Sequence, residues 1–193
     1  GDASESALIK FVQASFDVDV YRKENPKLKE IPFNSTNKYQ VSIHRQPDKK
    51  ELLLVMKGAP ERILGRCDSI LINGVVEPFT PELRSKMEKL QLELSRKGLR
   101  VLGFAELELD PAVYSDDYVY NSDVPNFPLG DNEDTFPADR PHTEAIFTKL
   151  CYVGMMAMID PPRPQVPPAV EKCKEAGIRV IMVTGDHPIT AKA

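Results

Sequence analysis

Tyr39-Gln40-Val41-Ser42-Ile43-His44 and Leu52-Leu53-Leu54-Val55-Met56, separated by a polar stretch containing Pro47-Asp48, decide how this chain folds. In the first run Tyr39, Val41 and Ile43 alternate with Gln40, Ser42 and His44, the period of a strand that buries one face. The second is a solid apolar run of strand length, and a polar Pro-Asp loop between two such runs predicts an antiparallel hairpin.

Working outward, Ser4 predicts a cap for a helix running to about Phe16, with Ala7, Leu8, Phe11 and Ser15 along one face and extended structure after it. Pro60 suits the first turn of a helix. Asn73-Gly74, between Ile70-Leu71-Ile72 and Val75-Val76, is a strong signal for a two-residue hairpin. Thr80-Pro81-Glu82 starts a long helix with Leu83, Met87, Leu90 and Leu94 as its seam and Gly98 as its end. Arg100 to Leu109 reads as a strand. Leu150 to Ile159 reads as another, almost wholly apolar and therefore central. Hairpins with segregated helices predict an α+β fold, an antiparallel twisted sheet flanked by helices.

Between the last two strands the composition changes. From Asp110 to Lys149 nine acids stand against Arg140 and Lys149, a net charge of −7; the whole chain carries −4, so the rest carries +3. Pro111, Pro125, Pro128, Pro137 and Pro141 interrupt any period, which predicts a long surface insertion pinned in places by its Tyr and Phe residues. A +3 body suits an anionic ligand but is too weak a field to suggest nucleic acid.

Asp160-Pro161-Pro162-Arg163-Pro164 permits neither helix nor ladder strand and reads as a stiff elbow and a domain boundary, dividing the chain into 1–159 and 160–193. Beyond it a short helix, Val166 to Ala176, is expected to turn Val166, Val170 and Cys173 inward and to stop at Gly177. A buried strand from Arg179 to Val183 then leads into Thr184-Gly185-Asp186-His187-Pro188. A hydroxyl, a glycine and a carboxylate at the carboxyl end of a strand are placed where α/β sheets bind ligands, and the next helix start favours anions. One α-β step cannot cover both faces of its strand, so the remainder of that Rossmann-like unit is expected in a longer chain.

A length of 193 residues with 41% hydrophobic content suffices for a proper core. No apolar run approaches a membrane span, and the opening Gly1-Asp2-Ala3-Ser4-Glu5 predicts a soluble piece of a longer protein. Cys67, Cys151 and Cys173 form no Cys-x-x-Cys pattern and are expected as reduced thiols. His44, His142 and His187 lack metal-ligand spacing, and no metal ligand is assigned.

Six segments in order then carry a resemblance across almost the whole chain: Gly1 to Ala7, Ile31 to Gln40, Lys57-Gly58-Ala59-Pro60-Glu61, Arg100-Val101-Leu102-Gly103-Phe104, Met158 to Arg163 and Met182 to Pro188. Together they resemble the nucleotide-binding domain of a P-type ATPase of the sodium/potassium and proton/potassium pump group, followed by a partial phosphorylation domain of haloacid-dehalogenase type. The resemblance implies ATP as ligand. It also implies Mg²⁺-assisted phosphoryl transfer to an Asp outside this chain, so that this piece alone binds nucleotide. Implied partners are ATP or ADP, the phosphorylation, actuator and membrane domains of the same pump, and a beta subunit. The implied setting is the cytoplasmic side of a multi-pass plasma-membrane protein.

Residue by residue, the resemblance makes Phe33 the ring that stacks on adenine, although locally an ordinary core Phe beside Ile31 and Pro32 reads as well. Glu5 is implied to accept from the adenine amino group; locally it could equally be an acid stabilised at a helix start. Lys38 and Lys57 are implied cations of the pocket, with a solvated surface charge as the local alternative. Gly58 is implied to let backbone approach the base. Arg100 is implied to reach the phosphate or ribose side, Gln40 to line the pocket and Leu102 to close it, Gln40 sharing Lys38's face and Leu102 sharing Arg100's by two-residue alternation. Asp160 and Arg163 resemble the hinge, or a simple capped helix start; Thr184 and Asp186 resemble groups around the transferring phosphoryl, or a tight turn with an Asp cap. No glycine-rich Walker loop occurs, so the pocket would hold adenine first. A non-transporting nucleotide sensor and a plain haloacid-dehalogenase-type phosphatase are the alternatives, the latter leaving the α+β body unexplained.

Overall fold

A computed structural model describes residues 3–115, 117–120, 128–129, 149–159, 161 and 163–184. The deciding hairpin forms as β2 (Tyr39–Arg45) and β3 (Leu52–Gly58), in register from Tyr39 opposite Gly58 to Arg45 opposite Leu52. A polar strand, β1 (Lys27–Ile31), pairs on the outside of β2. The Asn73-Gly74 turn joins β4 (Cys67–Ile72) to β5 (Val75–Pro78) with φ of 50° and 81°, left-handed at both central residues as a type I′ turn requires. With β6 (Arg100–Leu109) and β7 (Leu150–Met158) they make one seven-stranded sheet, ordered β1-β2-β3-β6-β7-β4-β5.

The sheet departs from the expected wholly antiparallel one at a single joint, where β4 runs parallel to β7. After β5 the chain crosses back through α4 (Pro81–Arg96) to the middle of the sheet, and β7 then returns from β6 to lie beside β4. Turn chemistry specifies neighbours within a hairpin but not which distant strands meet, so this pairing left no local trace.

One face of the sheet is the core. Tyr39, Val41 and Ile43 of β2, Leu52, Leu54 and Met56 of β3 and Leu150 and Tyr152 of β7 are buried with Ile63 and Leu64 of the short helix α3 (Pro60–Leu64). Each fully buried aliphatic contributes about 1.5–3 kcal/mol. A Cβ on Gly103 would lie 3.2 Å from Pro60 Cα and Ile63 Cβ, so the glycine lets α3 press onto β6. Arg84 fastens α4 beneath it: its guanidinium donates to the Leu64 and Cys67 carbonyls, the latter at 2.7 Å, and lies 4.4 Å from the Phe79 ring centre. Thr80 caps α4 by accepting from the Leu83 amide at 3.3 Å. Leu83 and Met87 pack on the core, whereas Leu90 of the expected seam stays largely exposed.

The first helix differs from expectation. α1 (Ala3–Gln13) ends early and a second helix, α2 (Val18–Glu24), follows, started by Asp17, whose carboxylate accepts from the Asp19 and Val20 amides. Ser4 lies inside α1, buried, and accepts from Arg100 instead of capping; Phe11 is exposed. Within the acidic segment Tyr114, Tyr118 and Tyr120 touch ring to ring at 4.9–6.2 Å, and Leu129 is fully buried in the core.

After Arg163, α5 (Val166–Glu175) forms as expected but buries none of its residues. The expected strand at 179–183 does not form: Val183 is 92% exposed, and no ladder is found for it among the described residues. A strand is held by its neighbours' hydrogen bonds, and a single α-β step supplies none. Asp160 lies outside the described residues.

Candidate functional site

The outer face of the sheet carries what the core face does not. Gln40, Lys57, Phe104 and Gly154 stand opposite one another across β2, β3, β6 and β7, and Ser42, Val55 and Glu106 form the next row. All of these but Gly154 line a cleft of about 390 Å³ floored by Val55 and Phe104 and rimmed by Gln40, Ser42, Lys57 and Glu106. Val153 joins them because β7 bulges there: Phe104 pairs with Gly154 and Ala105 with Tyr152, leaving Val153 unpaired and Gly154 at φ 149°. A few placed polar groups around an apolar floor is the usual make-up of a small-molecule site.

α1 closes one end of this face. Lys57 Nζ donates to Glu5 Oε1 at 2.6 Å, and Arg100 Nη1 donates to Ser4 Oγ at 2.8 Å, so two successive residues of one helix turn meet cations on two strands. β1 supports the other side, where Gln40 Nε2 donates to Glu30 Oε1 at 2.5 Å. Hydrogen bonds from Lys27, first, and then from Gln40 hold the Glu30 carboxyl below its ordinary pKa. A charged Glu30 thus orients the Gln40 amide. Further along, His44 Nε2 meets Ser42 Oγ at 2.8 Å and Nδ1 meets the Asn25 carbonyl at 3.2 Å.

Glu5, Gln40, Lys57, Arg100 and Leu102 are therefore brought to one face and one end of the sheet. Phe33 is 61% exposed in the loop between β1 and β2, at the same end. Lys38 closes that loop, but the alternation that was to put it on Gln40's face does not reach it: it precedes β2 with φ 58°, outside the strand. Gly58, implied to let backbone approach the base, also lies against β2. A Cβ there would lie 2.4 Å from the Lys38 carbonyl oxygen and 2.6 Å from Tyr39 Cα, so the glycine admits β2's own backbone. Arg163 lies just before α5, and Thr184 ends the described part of the chain; Asp160 and Asp186 lie outside it.

Sequence reasoning missed Phe104, Ser42, Val55, Glu106 and Glu30. Phe104 and Ser42 were within reach, two residues beyond Leu102 and Gln40 on strands already recognised. Val153 was not, because a bulge shifts it by one residue. Among the described residues no group of His, Cys, Asp or Glu is arranged to hold a metal ion, and no helix is long and apolar enough to cross a membrane.

One face packed under helices and the other bearing an apolar-floored cleft with carboxylate, amide and ammonium groups define an α+β domain with a candidate small-molecule cleft. The P-type ATPase cytoplasmic domain N family matches residues 1–165. The chain belongs to that family. It is 52% identical over its full length to a sodium/potassium-transporting ATPase alpha subunit of Tetronarce californica and to an alpha-2 subunit of Gallus gallus, and 50% identical to an alpha-A subunit of Artemia franciscana. The chain spans 17–18% of the length of these relatives.

Proposed function

We propose that this chain is the ATP-holding part of a sodium/potassium pump alpha subunit, and that the outer-face cleft is where the nucleotide lies. What supports the reading most is the coincidence of full-length similarity to such subunits with a cleft on the Gln40–Lys57–Phe104 row. Phe33, Leu102 and Phe104 offer flat or apolar surface to adenine. Glu5 accepts from the adenine amino group, and Gln40, oriented by Glu30, lines the pocket beside it. Lys38, Lys57 and Arg100 supply positive charge to ribose and phosphates, and Gly58 keeps the Lys38 backbone against β3. In the free chain Glu5 neutralises Lys57, so nucleotide enters by loosening that pair.

The longer protein would couple ATP hydrolysis, through an aspartyl phosphate formed outside this chain, to exchange of sodium for potassium across the plasma membrane, with a beta subunit as partner. Mg²⁺ would serve that step by neutralising phosphate charge, held by residues outside the described ones. Asp160 and Arg163 would set the hinge that brings residues 160–193 toward the cleft. Thr184 and Asp186 would then meet the γ-phosphate.

Titrating the 193-residue chain with ATP should give saturable amide shifts at Gln40, Lys57 and Phe104. Lys57→Ala should weaken binding roughly tenfold, about the 1.4 kcal/mol of a modest charged contact. Absence of any saturable shift at these residues refutes the assignment.

A further inference from the structure

Arg66 lies just past α3, 2% exposed, on the core side of the sheet, and touches two segments that are far apart in the chain. Its Nη1 donates to the carbonyl oxygen of Leu129 at 2.7 Å, and its guanidinium carbon stands 5.1 Å from the centre of the Tyr39 ring. Leu129 belongs to the acidic segment; Tyr39 is the first residue of β2, between Lys38 and Gln40. All three side chains are buried: Leu129 is fully enclosed and Tyr39 is 1% exposed.

We propose that Arg66 is a positioning residue through which Leu129 sets the shape of the nucleotide cleft. The inference rests on that cleft being the nucleotide site. Tyr39 is wedged at the cleft's underside: its ring faces the core while its neighbour Gln40 lines the cleft, and its backbone lies so close to Gly58 that no Cβ fits between them. Arg66 thus touches the ring on the core side while Gly58 abuts the backbone, so both contacts bear on the start of β2. Burial lowers the Arg66 pKa, to about 10, with Arg62 adding to the effect, yet the group is still a cation at neutral pH. A buried cation needs its acceptors kept in place, so removing Leu129 from the core withdraws a carbonyl from Arg66 and leaves the Tyr39 ring a looser neighbour. Lys38 and Gln40 then shift. By linkage, a nucleotide that needs β2 in its present position must in turn favour the Arg66–Leu129 contact.

The test is ATP affinity in the full 193-residue chain, followed alongside thermal stability. Leu129→Ala and Arg66→Met should each weaken ATP binding at least threefold, and the double variant should weaken it by less than the product of the two. Arg66→Lys should recover part of the loss. Val18→Ala, which truncates a buried side chain of α2 outside the core cluster, should lower the melting temperature without moving the affinity. Wild-type affinity in Leu129→Ala and Arg66→Met overturns the proposal, as does an equal loss in Val18→Ala. Should Leu129→Ala fail to fold, hydrogen exchange decides: faster exchange of the Tyr39 and Gln40 amides in Arg66→Lys than in wild type supports the coupling, and unchanged exchange overturns it. A wild-type chain with no saturable ATP response removes the cleft reading and this inference with it, whereas ATP binding indifferent to Leu129 and Arg66 removes this inference alone.

Discussion

Replacing Gly58 by alanine puts a methyl group where the structure has no room. Its Cβ would stand 2.4 Å from the Lys38 carbonyl oxygen and 2.6 Å from both Cα and Cβ of Tyr39. Two of these are backbone atoms and the third is anchored to one, so no flexible side chain can swing aside. Relieving the shortest contact to even 3.0 Å requires β2 and β3 to part by 0.6 Å at their paired ends, where Tyr39 stands opposite Gly58 and the Ala59 amide donates to the Lys38 carbonyl at 2.9 Å. Overpacking of this kind costs about 1–3 kcal/mol. In a chain of this size each kcal/mol lowers the melting temperature by roughly 2–4 °C, so Gly58→Ala should melt roughly 2–12 °C lower. Gly103→Ala, with its nearest contacts at 3.2 Å, should lose less. Calorimetry of both variants without nucleotide checks this, together with amide shifts at Lys38, Tyr39 and Gln40. A Gly58→Ala chain that melts with wild type would refute the reasoning. If it also lost ATP binding, Gly58 would be there for the ligand's approach and not for β2's.

Burial pushes the Cys67 thiol up from 9 to about 12. Between those values the folded chain keeps a proton that the unfolded chain has lost, so stability should be full below about pH 9 and fall by up to about 1.4 kcal/mol per pH unit above it. Urea midpoints from pH 8.5 to 10.5 should show this slope, and it should flatten in Cys67→Val. Arg84→Met should cost about 1–3 kcal/mol, because the Leu64 and Cys67 carbonyls lose a half-buried charged donor; an unchanged urea midpoint would show that Arg84 does not fasten α4 to α3.

How far the chain could be read follows from how local each signal is. The β2–β3 hairpin, the Asn73-Gly74 turn, Thr80 as the α4 cap and the full span of β6 were legible, because period, turn chemistry and capping act over a few residues. α2 was missed although Asp17 announced it, since its cap lies behind a helix already assumed to run on. Glu5 and Lys57 were identified by resemblance, and their spacing in the chain gave no hint of the 2.6 Å contact between them.

Alternation alone therefore settled that Gln40 lies on the side of β2 opposite Tyr39, Val41 and Ile43, and that Arg100 and Leu102 share one side of β6, whereas the solid apolar run of β3 left the side of Lys57 open. Tertiary structure decided what those residues do there. It set β6 between β3 and β7, brought α1 across to meet Lys57 and Arg100, turned Gly58 toward β2, and buried Leu129 beside Arg66. The reason is physical. Side-chain direction is a property of the backbone's two-residue repeat, whereas the pairing of distant strands and the docking of helices depend on closing long loops around a common core, and no short window of sequence records that.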